Sequence, residues 1–218
     1  MATRARYVVI RSFTVTAIAI AFAGLVSCDA GAPNQTPSSS ANATPSMSVS
    51  PEASAFRFEV GDRQLVETVR GRLSERERRA VREAAGRVES TVTDLYVGAF
   101  LDPDHWSSGT YDDVFDVFAG VARPEAERRA GILTAGGDAG DRFERIDPLK
   151  GRLSLRILLD RGENPVLVAS KVRFVARGVG ADPLTMTSEG AFLFRRIDGA
   201  WRIVSFDVVR TDREPEAA

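Results

Sequence analysis

One stretch of this 218-residue chain gathers side chains able to move protons: Asp102-Pro103-Asp104-His105-Trp106, with Tyr96 and Tyr111 close by in sequence. An imidazole oriented by a carboxylate is a common general base, because its ordinary pKa lies near neutral pH. His105 is the only histidine of the chain, so chemistry of that kind has one place to be. The same residues also have an architectural reading: Asp102-Pro103 stops a helix, Trp106 packs over the core, and His105 stands at the surface. A second candidate is Asp207, which shares strand phase with Trp201. An acid beside an indole would line a cavity; as an ordinary strand residue it would pair with an arginine on a neighbouring strand. His105, Asp104, Tyr96, Asp207 and Trp201 are therefore the candidate cavity residues, and no catalytic set emerges among them.

Other constellations carry less. Gly178-Val179-Gly180 follows an apolar alternating run, but no helix opens after it, so it is a loop and not a dinucleotide fingerprint. Gly136-Gly137-Asp138-Ala139-Gly140-Asp141 is a flexible connection with too few oxygen ligands for calcium. One Cys and one His exclude a disulfide scaffold and a Cys/His zinc centre. A formal net charge of -1 gives no nucleic-acid footprint. No metal or cofactor is expected. Lys171, Arg173, Arg177, Arg195 and Arg202 would form a basic stripe across adjacent strands, facing anionic lipid, a partner or cross-strand glutamates.

The remaining chemistry is at Cys28. Arg4, Arg6 and Arg11 precede it with no acidic residue before Asp29, and Ser12 to Val26 is an apolar run of 15 residues. A membrane-spanning helix needs about 20, so the run fits a secretory signal core. It ends in Leu25-Val26-Ser27-Cys28, which resembles the bacterial lipobox. That resemblance implies a diacylglyceryl group on the Cys28 sulfur, cleavage that removes residues 1–27, and a protein held on the extracytoplasmic face of the cell membrane by fatty chains. A lone exported thiol has no disulfide partner, which acylation accounts for. After loss of the three arginines the mature chain carries 26 basic against 30 acidic residues, a net charge of -4, so lipid would do the anchoring.

Residues 28–54 form the next unit. Asp29 to Ser54 holds 7 Ser, 4 Pro and 5 Ala, with no aromatic residue, and cannot bury enough apolar surface to offset its ordering entropy. It reads as a disordered tether. Residues 55–213 are the length of a single domain, followed by a disordered tail at 214–218.

Within that domain, Phe56 and Phe58 alternate with Arg57 and Glu59 as a short strand. Ser74-Glu75-Arg76-Glu77 is a capping box, and Val81, Ala84, Ala85, Val88, Val92 and Leu95 recur at helical spacing after it. The pattern predicts a second helix from Thr110 and a third from Pro124 to about Leu133. From Arg152 the period becomes two, with turns at Asp160–Asn164 and Asp198-Gly199, and four consecutive strands of about nine to fourteen residues follow. Strands of that length bend, and Gly190 is a candidate kink. The fold class is α+β: N-terminal helices packed on a curved antiparallel sheet.

That order resembles the nuclear transport factor 2-like superfamily, in which a curved sheet wraps a long helix as a cone. The closing stretch from Phe192 to Asp207, with Asp198-Gly199-Ala200-Trp201-Arg202-Ile203 inside it, carries the likeness. The arrangement also resembles the Mce-associated proteins of actinobacterial envelopes, which place such a domain behind a membrane anchor. The resemblance implies a non-catalytic binding or assembly module, accessory to lipid transport, whose partners are the membrane, an envelope protein complex or a hydrophobic small ligand. Enzymes of the superfamily imply an alternative: an anchored acid/base catalyst of the dehydratase or isomerase type.

Overall fold

The computed structural model describes residues 55–65, 73–160, 162 and 164–214. The signal segment, Cys28, the tether and residues 215–218 lie outside the described residues. Ser74 opens α1 (Glu75–Tyr96) as the capping box requires: its hydroxyl accepts from the Glu77 amide at 3.3 Å, and the Glu77 carboxylate accepts from the Ser74 amide. Val81, Ala84, Ala85, Val88, Val92, Leu95 and Tyr96 form one buried stripe along it, while Arg78, Arg82 and Arg87 face outward. The helix ends in a five-residue π-turn, Val97–Leu101, closed by a bond from the Asp102 amide to the Val97 carbonyl at 2.8 Å.

The next elements depart from the spacing. Asp102 caps α2 (Pro103–Ser108). The helix expected from Thr110 is only a 3₁₀ turn, Val114–Val117, because the chain turns extended at Phe118. There it bridges Ile203, and Ala119 donates to the Ile203 carbonyl at 2.9 Å, so a backbone edge replaces the helical bonds. The helix expected from Pro124 is two pieces, α3 (Ala122–Arg128) and α4 (Ala130–Leu133). They break at Arg129, whose guanidinium lies 5.4 Å from the Phe206 ring and donates to the Val208 carbonyl at 3.1 Å. The glycine-rich connection read as flexible folds into a short α5 (Ala139–Arg142).

Five strands follow in the order β1-β2-β3-β4-β5: Glu59–Leu65, Phe143–Leu159, Pro165–Gly180, Leu184–Ile197 and Ala200–Arg213. The four long ones are antiparallel neighbours, whereas β1 runs parallel to β2. The sheet is thus mixed and not wholly antiparallel as expected. The reason is connectivity: β1 precedes the helices, and a chain that returns to the same edge through a helical crossover arrives parallel. The Asp198-Gly199 turn is as expected, both residues having positive φ (49° and 81°), the backbone that a tight two-residue hairpin demands. At Gly190 β4 and β5 approach so closely that a Cβ would collide with the Asp207 carbonyl and Val208.

One face of the sheet packs on the helices. Leu153, Leu155, Ile157, Val168, Val172, Phe174, Met186, Phe192, Phe194 and Ile203 are buried there. Phe56 and Phe58 sit edge-on to one another at 5.1 Å, and Tyr96 and Phe100 each lie within 5.2 Å of Phe174. The other face is open, and Leu158 and Val209 stand 41% and 58% exposed on it. Among the described residues no helix is long and apolar enough to cross a membrane.

Candidate functional site

His105 lies between two carboxylates. It is carried on the first turn of α2, which Asp102 starts by accepting from the Asp104 amide at 3.0 Å. Gly109, with φ of 69°, then reverses the chain and brings Asp113 back over the ring. Asp113 Oδ1 and Oδ2 stand 3.0 and 3.1 Å from His105 Nε2, and Asp102 Oδ2 stands 3.2 Å from Nδ1. The Asp102 approach falls outside hydrogen-bonding geometry, so Nδ1 has an electrostatic neighbour but no bonded partner. The bond to His105 holds the Asp113 carboxyl below the usual carboxylate range. Gly98 makes room for this arrangement: a Cβ there would lie 3.1 Å from Val114 and 3.8 Å from the imidazole.

These groups border a cleft of about 440 Å³, together with Thr91, Asp94 and Arg202. Arg202 reaches it from β5 and donates to the Asp116 carbonyl at 2.7 Å. The ring itself is 20% exposed, so it is neither sealed in the core nor lying free on the surface. A neutral imidazole offers one N–H and one lone pair. Here Nε2 faces Asp113, so accepting a substrate proton at that nitrogen requires Asp113 to move. Asp113 can do so most easily, being 72% exposed against 31% for Asp102. Among the described residues no group of three or more His, Cys, Asp or Glu is placed to hold a metal ion.

The other candidates do not join His105. Asp104 points to solvent, and the neighbouring acids are Asp102 and Asp113 instead. Tyr96 is in the middle of the core, its hydroxyl 2.9 Å from Ser188 Oγ, and burial pushes its phenol far above the ordinary value. Tyr111 stacks near His105 with ring centroids 6.3 Å apart and donates to the Gly136 carbonyl at 3.1 Å; burial raises it too. Trp201 is buried at 8%. Asp207 is exposed on the open face, so its expected phase with Trp201 needs correction. The register shifts between Leu193 and Phe194, where Leu193 pairs Ser205 and Phe194 pairs Ile203. That bulge inserts Val204 and reverses the alternation, so Val208 and not Val209 points inward.

Asp113 is the residue of this site that spacing along the chain does not connect to His105. The only trace of its role is Gly109, a left-handed stop between two acid-bearing segments.

The basic stripe is partly as expected. Lys171, Arg173, Arg177 and Arg195 occupy the open face, and Arg173 pairs with Glu189 at 2.7 Å. Arg202 leaves it for the cleft. No protein-family model matches this chain, and none of the curated proteins matches it.

Proposed function

We propose that this protein is a lipid-anchored extracytoplasmic protein of the cell envelope whose folded domain is a non-catalytic binding or assembly module, with service beside a lipid transporter as its more specific form. The observation that carries the anchor is Leu25-Val26-Ser27-Cys28 at the end of a 15-residue apolar run behind three arginines. Support for the non-catalytic domain comes from the packing between helix and sheet. Trp106, Phe100, Phe174, Phe192 and Phe194 fill that space at 1% exposure or less. A long helix laid across long, bulged strands is also the arrangement expected of the nuclear transport factor 2-like cone, and likeness of fold speaks to architecture before function.

The test is Cys28→Ser in cells fed an alkyne-bearing fatty acid. The parent chain takes up the label and sediments with membranes. The variant is expected to lose the label and the cleaved form. A variant that keeps label, cleavage and full membrane association overturns the anchor.

A second reading is favoured by one observation, the placement of His105 between Asp102 and Asp113 at the mouth of a cleft. In it the domain is an anchored dehydratase or isomerase acting on a hydrophobic small molecule, with His105 as the base. Turnover of such a compound that disappears in His105→Gln while the fold persists would establish it. Equal turnover in both proteins would remove it.

A further inference from the structure

The two faces of the sheet differ in charge as well as in burial. On the open face Arg152 stands opposite Arg173, Ser154 opposite Lys171, and Leu167 opposite Arg195, with Arg177 continuing the row along β3. Arg173 is ion-paired to Glu189, whereas Arg152, Lys171, Arg177 and Arg195 have no ion-pair partner among the described residues. Among the described residues the acids of this face are fewer than its cations: Glu59 on β1 opposite Arg152, where it also lines the first hollow, Glu189, Asp207 at the β5 edge, and Asp147 opposite Arg177, which Arg145 already engages at 3.1 Å. The chain as a whole is at -1, so a basic surplus here is offset by acid elsewhere.

The relief of the face matches its charge. Two shallow hollows of about 460 and 320 Å³ open on it, and Ser154 and Lys171 line both. Small residues, Ser154, Ala169 and Ala191, line the second, and Leu158 and Val209 stand exposed on the same face. Cations set around shallow hollows, on a face that also exposes aliphatic side chains, suit phosphate headgroups and the acyl boundary beneath them. A second copy of the chain suits them poorly, since stacking this face on itself would set arginine and lysine against arginine and lysine.

We propose that this open face lies down on an anionic phospholipid bilayer, through Arg152, Lys171, Arg177 and Arg195. The proposal rests on the membrane-anchored reading given above, which supplies the bilayer. On the tether reading of the 26 residues Asp29–Ser54, a coil of that length spans about 28 Å on average, short enough to keep the face at high effective concentration over the lipid. The anchor gives residence and the face gives orientation.

The experiment reconstitutes the full chain in vesicles of phosphatidylcholine alone or with phosphatidylglycerol, each carrying a headgroup quencher. A fluorophore is placed at Val209→Cys, on the open face, or at Arg82→Cys, on the outer side of α1. Cys28, the only native cysteine, is replaced by serine in these chains, so the introduced thiol is the sole labelling site. The label at 209 should be quenched in anionic vesicles and released by high salt, while the label at 82 should be indifferent to lipid charge. Each basic side chain near such a surface is worth about fivefold in partition. Lys171→Glu with Arg177→Glu and Arg195→Glu should therefore weaken the quenching at least tenfold, and the milder glutamine series should weaken it partially with an unchanged thermal melt. Equal quenching at 209 and 82, indifference to phosphatidylglycerol, or self-quenching of the 209 label in neutral vesicles would overturn the proposal, the last by naming a second copy as the occupant. Because each Cys28→Ser chain is held to the vesicle through an N-terminal hexahistidine tag on a nickel-chelating lipid, these outcomes do not depend on acylation of Cys28. Failure of the anchor would instead appear in the fatty-acid labelling of Cys28→Ser.

Discussion

The phenol of Tyr96 and the hydroxyl of Ser188 stand 2.9 Å apart in the buried centre of the domain, joining the last turn of α1 to β4. Both residues are at most 2% exposed, so neither group has water to fall back on. Removing one partner strands the other, which costs more than the bond itself contributes.

Tyr96→Phe should therefore destabilise the domain by about 1–3 kcal/mol in urea unfolding. Adding Ser188→Ala should cost less than the sum of the two single changes, because the stranded hydroxyl is gone. The phenol also sets an alkaline limit. Its folded pKa lies above its unfolded one, so its contribution is complete below about pH 10 and is lost as pH rises further. Unfolding followed from pH 8 to 11 should show stability falling at the top of that range, and falling less in Tyr96→Phe.

At the cleft, the Asp113 carboxyl should titrate below an ordinary aspartate, since the His105 bond is the first cause of its depression. Its contribution to folding is then present above the unfolded pKa of about 3.9 and lost as pH falls through the lower folded value. In His105→Ala the carboxyl carbon, followed by NMR, should return to the ordinary range. An unchanged titration would mean that the imidazole does not hold it.

Arg210 closes the back of the domain. Its side chain is only 8% exposed, and Nη1 donates to the carbonyls of Gly131 at 3.2 Å and Thr134 at 2.6 Å while Nη2 meets Asp212 at 2.7 Å. Those carbonyls belong to the C-terminal end of α4, where a cation is favoured by the helix dipole. Arg210→Met should lower stability by about 2–4 kcal/mol, since each bond to a charged donor contributes about 1.5–3 kcal/mol. Arg210→Lys should recover only part of it, lacking the planar fork.

The bulge in β5 has its own test. Val208 is fully buried and Val209 is 58% exposed, although the alternation from Trp201 places them the other way round. Val208→Ser should cost about 2–4 kcal/mol, whereas Val209→Ser should stay within about 0.5 kcal/mol. Similar costs at both positions would mean that the strand keeps its phase through Val204.

The residues by themselves determined the elements whose bonds are local. Ser74 and Glu77 lie three apart, within one helical turn, so the start of α1 could be read directly, as could its stripe from Val81 to Leu95 and the Asp198-Gly199 turn between two alternating runs. What only the tertiary structure decided are the places where a distant partner outweighs local preference. Phe118 leaves its helical pattern because the Ile203 backbone accepts it. β1 is parallel because the chain returns across the helices. Asp207 faces outward because one extra residue at Val204 reverses every side chain after it. Asp113 meets His105 for the same kind of reason: a left-handed glycine folds two segments together, and spacing along a chain carries no record of where a loop comes back.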